Sequence, residues 1–356
     1  MPVLSRPAIL LAAATVAAGL LVAPGAALAT PSTPAATLAS PAATLASPGT
    51  ALAAETTTEL TAAEMKAAIA TVTEATVAAG AKGWAAQGGF SISAGGSSLT
   101  GWQRLRMDRV RWVADSTFAI TGSPESRSVL KQGAGIYDPV GDGMSRSALK
   151  MMGRPAVQYV FEADKSVTLD KAAPGPVELA APTIAAGTRT VHEDGTTDYR
   201  FSDPTVGDVT LHADGSAVLT AAESSLTDDG LTVSMEIDYN YGEQDVPVPV
   251  AGETIDAKTL TTGIAYLNMA SSVKYAATDG AAATRKAAKG GKIKVATLRK
   301  LVGKEAAAAN KSAGAAVVKV KNITSGVRVH ATNPWTKQSV AYTVKASGKK
   351  VVVKKA

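Results

Sequence analysis

The sequence of 356 residues has no cysteine and only three histidines. Without thiols there is no disulfide, no thiolate metal site, no cysteine nucleophile and no lipidated amino-terminal cysteine. Three histidines leave little for a multi-histidine metal centre. Aromatic residues are also scarce, at 4 Trp, 8 Tyr and 4 Phe, so alanine and valine supply much of the 46% hydrophobic content. No serine stands in a Gly-x-Ser-x-Gly elbow. Asp138-Pro-Val-Gly-Asp142-Gly143 lacks the ligand spacing of a calcium loop, and Gly133-x-Gly135 is too short for a nucleotide motif. The sequence is therefore expected to be non-enzymatic and to use no metal or cofactor.

Acidic residues are plentiful in one part of the chain and almost missing from the other. Residues 1–259 carry 17 Lys+Arg against 28 Asp+Glu, whereas residues 260–356 carry 19 against 2. The overall net charge of +6 is thus the sum of −11 and +17, which points to two units with different surroundings. The basic part has 16 Lys and 3 Arg, and lysine acts as a mobile point charge rather than a bidentate fork.

At the amino terminus, Arg6 precedes an apolar run from Ala8 to Ala23. Pro24-Gly25 and the small residues of Ala27-Leu28-Ala29 follow, before Thr30. These are the three parts of a secretory signal peptide over residues 1–29, so the mature chain is expected to be secreted and extracytoplasmic. The apolar run falls short of the roughly 20 residues that span a bilayer. Residues 30–58 repeat PAATLAS and are rich in Ala, Thr, Ser and Pro, the composition of a disordered linker.

The acidic domain is expected over residues 60–256. Thr61-Ala-Ala-Glu64 fits a capping box, with Leu60 and Met65 as a staple. Met65, Ile69, Val72 and Thr76 then follow helical spacing. From Phe90 onward the pattern alternates. Leu231, Val233, Met235, Ile237, Tyr239 and Tyr241 face one way and the polar residues between them the other, which predicts a long antiparallel strand with one dry face. Asp194-Gly195, Asp214-Gly215 and Asp229-Gly230 sit between such runs and read as hairpin turns. Ser145–Phe161 is an apolar, partly helical insert broken at Gly153-Arg154-Pro155. The fold class is α+β: a large curved antiparallel sheet (an open half-barrel) over a few helices, then a small basic α+β domain at 260–356.

This order of helix, long meander, apolar insert and Asp-Gly hairpins resembles the bacterial lipoprotein-carrier (LolA-like) fold. So does the ending Tyr241-Gly242-Glu243-Gln244-Asp245-Val246-Pro247-Val248-Pro249. Over residues 60–250 it is most similar to the actinobacterial LppX/LprG branch, although that branch carries a lipobox cysteine and this chain has none. The resemblance implies a concave face that binds acyl chains, lipidated proteins or glycolipids. Leu231, Val233, Met235, Ile237 and Tyr239 are then expected to line it, with Met151, Met152, Val160 and Phe161 near its mouth. Methionine suits such contacts because it is flexible and polarizable; the same residues also serve as ordinary core.

Arg104, Arg106, Arg109 and Arg111 fall between Trp102 and Trp112. They are candidates for head-group or anion contact, or else for the solvated face of an edge strand. His192 and His212 each open a His-x-Asp-Gly turn, too few ligands for a metal without Glu193, Asp194 or Asp214.

In the basic domain, Thr261 or Thr262 is expected to cap a helix. A Gly/Ala/Lys stretch spans 280–291, a short helical turn 296–302, and four strands fill the last forty residues. Such a domain outside the cell is expected to meet an anionic membrane or wall polymer. Trp335 and Tyr342 are too few aromatics for nucleic-acid binding. The leading expectation is a secreted carrier or binder of lipid-like ligands at the envelope. The alternative is a structural or adhesive envelope protein without a cavity.

Overall fold

The structure is a computed structural model that describes residues 54–172, 175–180, 183–203 and 206–356. The expected signal peptide and nearly all of the expected linker lie outside the described residues. In chain order the elements begin with β1 (Thr56–Leu60), α1 (Ala62–Ala79), β2 (Gly83–Ala94), β3 (Ser97–Asp108), β4 (Val113–Ile120), β5 (Ser126–Lys131) and β6 (Gly135–Pro139). Then come α2 (Gly143–Met151), β7 (Tyr159–Ala163), α3 (Leu169–Ala172), α4 (Pro176–Ala180), β8 (Gly187–Val191), β9 (Thr197–Asp203) and β10 (Gly207–Ala213). β11 (Leu219–Asp228), β12 (Leu231–Tyr241), β13 (Thr254–Asp256), α5 (Ala257–Leu267), α6 (Met269–Ala288) and α7 (Val295–Ala313) follow. The last four are β14 (Lys319–Ile323), β15 (Gly326–Thr332), β16 (Ser339–Ser347) and β17 (Lys350–Lys355). Two compact units result among the described residues: 54–133 with 166–247, and 134–165 with 248–356.

In the first unit, ten strands run in the order β1-β8-β9-β10-β11-β12-β2-β3-β4-β5. Neighbours are antiparallel, and β1 does not meet β5, so the sheet is open. Strict alternation sets the register: Tyr239 opposes Ala86, Ile237 opposes Gly88 and Met235 opposes Phe90. Asp229 and Gly230 both take positive φ, as a tight reversal between β11 and β12 requires. Helix α1 begins as expected, with Thr61 accepting from the Glu64 N–H and Glu64 accepting from that of Thr61. Its Met65, Ile69, Val72 and Thr76 are buried, and the first three join Trp84, Met107, Leu211, Ile237 and Tyr239 in one core.

One boundary moves here. Residues 56–58, assigned to the linker, belong to β1, which pairs with β8 from Thr56↔Val191 to Leu60↔Gly187. The β-branched threonines explain it: they favour a strand, and Thr57 Oγ1 lies 3.0 Å from that of Thr190 across the pair.

The second unit takes the apolar insert away from the acidic domain to which it was assigned. β7 pairs antiparallel with β6 and parallel with β13, placing Val160 beside Ile255. Leu149, Val157, Ile255 and Leu260 then close a small core between α2 and α5. A boundary drawn where the charge changes cannot see a pairing that joins residues about a hundred positions apart. Asp256, rather than Thr261 or Thr262, caps α5 by accepting from the Thr259 N–H at 2.8 Å.

Helices α6 and α7 pack on one face of the antiparallel sheet β14-β15-β16-β17. Both are longer than expected. Gly280, the first residue of the Gly/Ala/Lys stretch, lies inside α6, where a Cβ would come within 2.7 Å of Val302 Cα. The glycine therefore permits close helix approach, and in the same way alanine replaces the missing aromatics at this interface: Ala276, Ala277, Ala281 and Ala306 are all buried.

Candidate functional site

The apolar face of the first unit's sheet is only partly covered. Around Trp84, Leu105, Met107, Ile237 and Tyr239 it is sealed by α1, with Leu169 of α3 and Val177 of α4. Tyr239 is pinned there by donating from its hydroxyl to Pro176 O at 3.0 Å, and burial pushes its ionisation far upward. Toward the β11–β12 turn the same face continues without joining that core. Phe90, Leu99, Phe118, Leu226, Leu231 and Val233 are half-buried, while Ile92 is buried at 4% exposure. Phe90 and Phe118 stack at 5.4 Å between centroids across β3. Gly101 makes this possible, since a Cβ there would meet the Phe90 ring at 2.3 Å.

The expected lining residues therefore divide. Ile237 and Tyr239 are core, Met235 sits at the core's edge against the Gln103 side chain, and Leu231 and Val233 lie beyond it. Sequence reasoning missed Phe90, Leu99, Phe118 and Leu226, although their period-two spacing on β2, β3, β4 and β11 carries the same signal as β12.

Met151, Met152, Val160 and Phe161 belong to the second unit and have partners there. Asn333 donates to the Met151 sulfur at 2.9 Å. Met152 seats its sulfur over Gly263, where a Cβ would be 2.3 Å away. Val160 packs with the α2–α5 core, and Phe161 tilts against Tyr137 at 4.7 Å.

The four arginines are on an interior strand and its turn, not on an edge. Arg106 and Arg127 converge on the Asp115 carboxylate, which is fully buried; Arg106 Nε is 2.9 Å and Arg127 Nε 2.8 Å from it. The same guanidiniums donate to Asp245 O at 2.9 Å and Pro247 O at 2.6 Å. Arg111 pairs with Asp108 and Asp245, and Arg109 with Asp170 at 2.9 Å. Burial works to raise the Asp108 carboxyl, but the Arg111 contacts and backbone N–H groups hold it below the usual range. Three of the four thus spend their charge inside the chain, and Arg106 and Arg111 help clamp the segment that follows β12. Arg104 differs, with a buried Nε that has no hydrogen-bond partner.

His192 and His212 meet on one carboxylate. Asp198 lies 3.2 Å from His192 Nε2 and 2.7 Å from His212 Nδ1. The hydrogen bond to Asp198 raises the His192 pKa, partly opposed by desolvation. Among the described residues, no group of three His, Asp or Glu is placed to hold a metal ion.

The second unit carries a groove of about 620 Å³ between α5, α6 and α7. Asp279 and Glu305, the two carboxylates of residues 260–356, both line it beside Tyr275. Its basic residues lie elsewhere. Lys319, Lys321, Arg328, Lys345 and Lys354 are exposed on the sheet, on the face opposite the packed Val327, Val329 and Val344.

No protein-family model matches the chain, and no curated protein matches it in sequence. It is similar in shape to a DUF1329 family protein from Desulfovibrio piger, at 10% identity and TM-score 0.19, covering 52% of this chain and 95% of that one. It is also similar to MucB in complex with MucA(peri), at 13% identity and TM-score 0.22, over 53% of this chain and 60% of that one. For the Pseudomonas aeruginosa MucA/MucB complex the values are 13% and 0.22, over 52% and 59%. At these TM-scores the likeness carries no functional argument. The part of the lipoprotein-carrier layout present in the fold is an open, antiparallel sheet with a helix against its apolar face. Among the described residues, no helix is long and apolar enough to cross a membrane.

Proposed function

We propose that this chain is a secreted, non-enzymatic binder or carrier of lipid-like ligands at the cell envelope, of the kind the LppX/LprG resemblance implies. The second unit adds electrostatic association with an anionic membrane or wall polymer. One observation carries the reading: the apolar face of the sheet extends past its helical cover, leaving Phe90, Leu99, Phe118, Leu226, Leu231 and Val233 half-buried. Seven apolar side chains on one face, counting Ile92, offer an acyl chain contact area. Much of the first unit's charge is paired within the chain, on Asp108, Asp115 and Asp198.

A structural or adhesive envelope protein is the competing reading, and the burial of Ile92 at 4% exposure favours it. Native mass spectrometry of the secreted protein, followed by lipid extraction, separates the two. A mass excess that organic extraction removes supports the carrier. Protein that runs at its apo mass and takes up no fatty acid or phospholipid supports the structural role.

A further inference from the structure

The strongest unassigned feature is the outer face of the β14–β17 sheet. Its register lays cations in one row across the strands. Lys321 is opposite Arg328, Arg328 opposite Thr343, and Thr343 opposite Lys354. At the usual strand spacing of about 4.8 Å this row is about 14 Å long. Lys319, opposite His330, flanks it on one side, and Lys345, opposite Gly326, on the other. The strands themselves carry no carboxylate to relieve the repulsion, because residues 306–356 contain no Asp or Glu. Like charges placed directly opposite on a sheet destabilise it, so the fold retains this face at a cost to its own stability. His330 senses the same field: burial first, then Arg328, Lys319 and Lys321, hold its pKa below the ordinary value.

We infer that this face binds a linear phosphate polymer along the Lys321–Arg328–Lys354 row. Lysine-rich point charges suit phosphate without requiring a fixed geometry, and a row that crosses the four strands with a cation on either side suits a chain of phosphates. A bilayer fits less well. The unit's large exposed apolar side chains, Met144, Val250, Leu267 and Tyr275, are not on these strands, so the face offers no large exposed apolar side chain to insert beneath head groups. The inference rests on the electrostatic part of the proposed function and is independent of the apolar-ligand part.

The test is titration of the full mature chain with labelled inorganic polyphosphate at 50 and 200 mM salt. About five phosphates neutralised, at about 0.7 in log–log slope each, give an affinity loss of about 10²-fold between the two salts. The variant K319S/K321S/K354S is expected to lose at least about tenfold in affinity at low salt and about two in slope. K274S/K286S/K300S removes the same charge from exposed positions of α6 and α7 and is expected to stay within about threefold of wild type. An equal loss in both variants overturns the assignment to this face. If vesicles containing anionic lipid bind as tightly as polyphosphate and polyphosphate does not displace them, the partner is a membrane and the polymer reading falls. Absence of salt-dependent binding to either ligand removes the electrostatic role itself, while leaving lipid carriage by the first unit untouched.

Discussion

If half of the apolar face is a ligand surface, two positions on one strand must respond differently to the loss of apolar bulk. Ile237 and Val233 are four residues apart on β12 and point the same way. Ile237 is 2% exposed and belongs to the core beneath α1, so Ile237→Ala creates a cavity and should cost about 2–5 kcal/mol. Val233 is half-buried and outside that core. Full burial of such a side chain is worth about 1.5–3 kcal/mol, so half of it gives about 1 kcal/mol for Val233→Ser. Leu231→Ser should cost a similar amount. Urea unfolding of the ligand-stripped protein measures both, as a shift in midpoint at constant slope. Lipid retention should invert the order: V233S/L231S loses bound lipid while remaining folded, and I237A keeps it at temperatures where it is folded. A cost above about 3 kcal/mol for V233S alone would mean a filled, core-like environment, and the ligand surface would have to be abandoned.

Three other outcomes follow from contacts in the first unit. Asp115→Asn leaves the Arg106 and Arg127 guanidiniums without their buried counter-charge; a loss of about 3 kcal/mol is expected in thermal unfolding, with faster proteolysis in residues 243–250, and a loss below about 1 kcal/mol would contradict the clamp. Thr61→Ala removes one half of the α1 capping box and should cost about 1 kcal/mol by urea titration, with Thr61→Ser restoring most of it. The Asp198 clasp gives a pH dependence. His192 has a raised folded pKa, so its stabilisation is complete below its unfolded value of about 6.5 and fades as pH climbs through the folded one. Burial pushes Asp198 up, but bonds from His212 and His192 outweigh this and lower it, so its share is present above about pH 3.9 and is lost as pH falls further. The advantage of wild type over His192→Gln should therefore be largest between about pH 4 and 6.5 and shrink by pH 8.5; an equal difference at pH 5 and 8.5 would exclude the clasp.

Local rules made much of the fold legible. The capping box at Thr61 and Glu64, the alternation along β12 and the Asp-Gly turns each depend on residues a few positions apart, and each is where the pattern places it. Readings that needed a partner distant in sequence fared less well. The arginines of β3 and the turn after it looked available for anions because their carboxylates lie elsewhere: Asp115 on β4, Asp170 on α3, Asp245 after β12. The stretch 280–291 did not read as helix and the turn at 296–302 read as short because intrinsic propensity is local, whereas α6 runs to Ala288 and α7 to Ala313.

The sequence by itself determined the element types, the two-way split of charge and the chemistry excluded by the lack of thiols, because these follow from composition and short-range periodicity. Only the tertiary structure decided which apolar residues of one alternating strand are sealed and which remain open. It also moved residues 134–165 into the carboxy-terminal unit and set Lys321, Arg328 and Lys354 of three short strands in one row. The physical reason is common to all three. Burial, strand register and charge proximity are properties of pairs of residues, and a chain specifies its pairs only once it has folded.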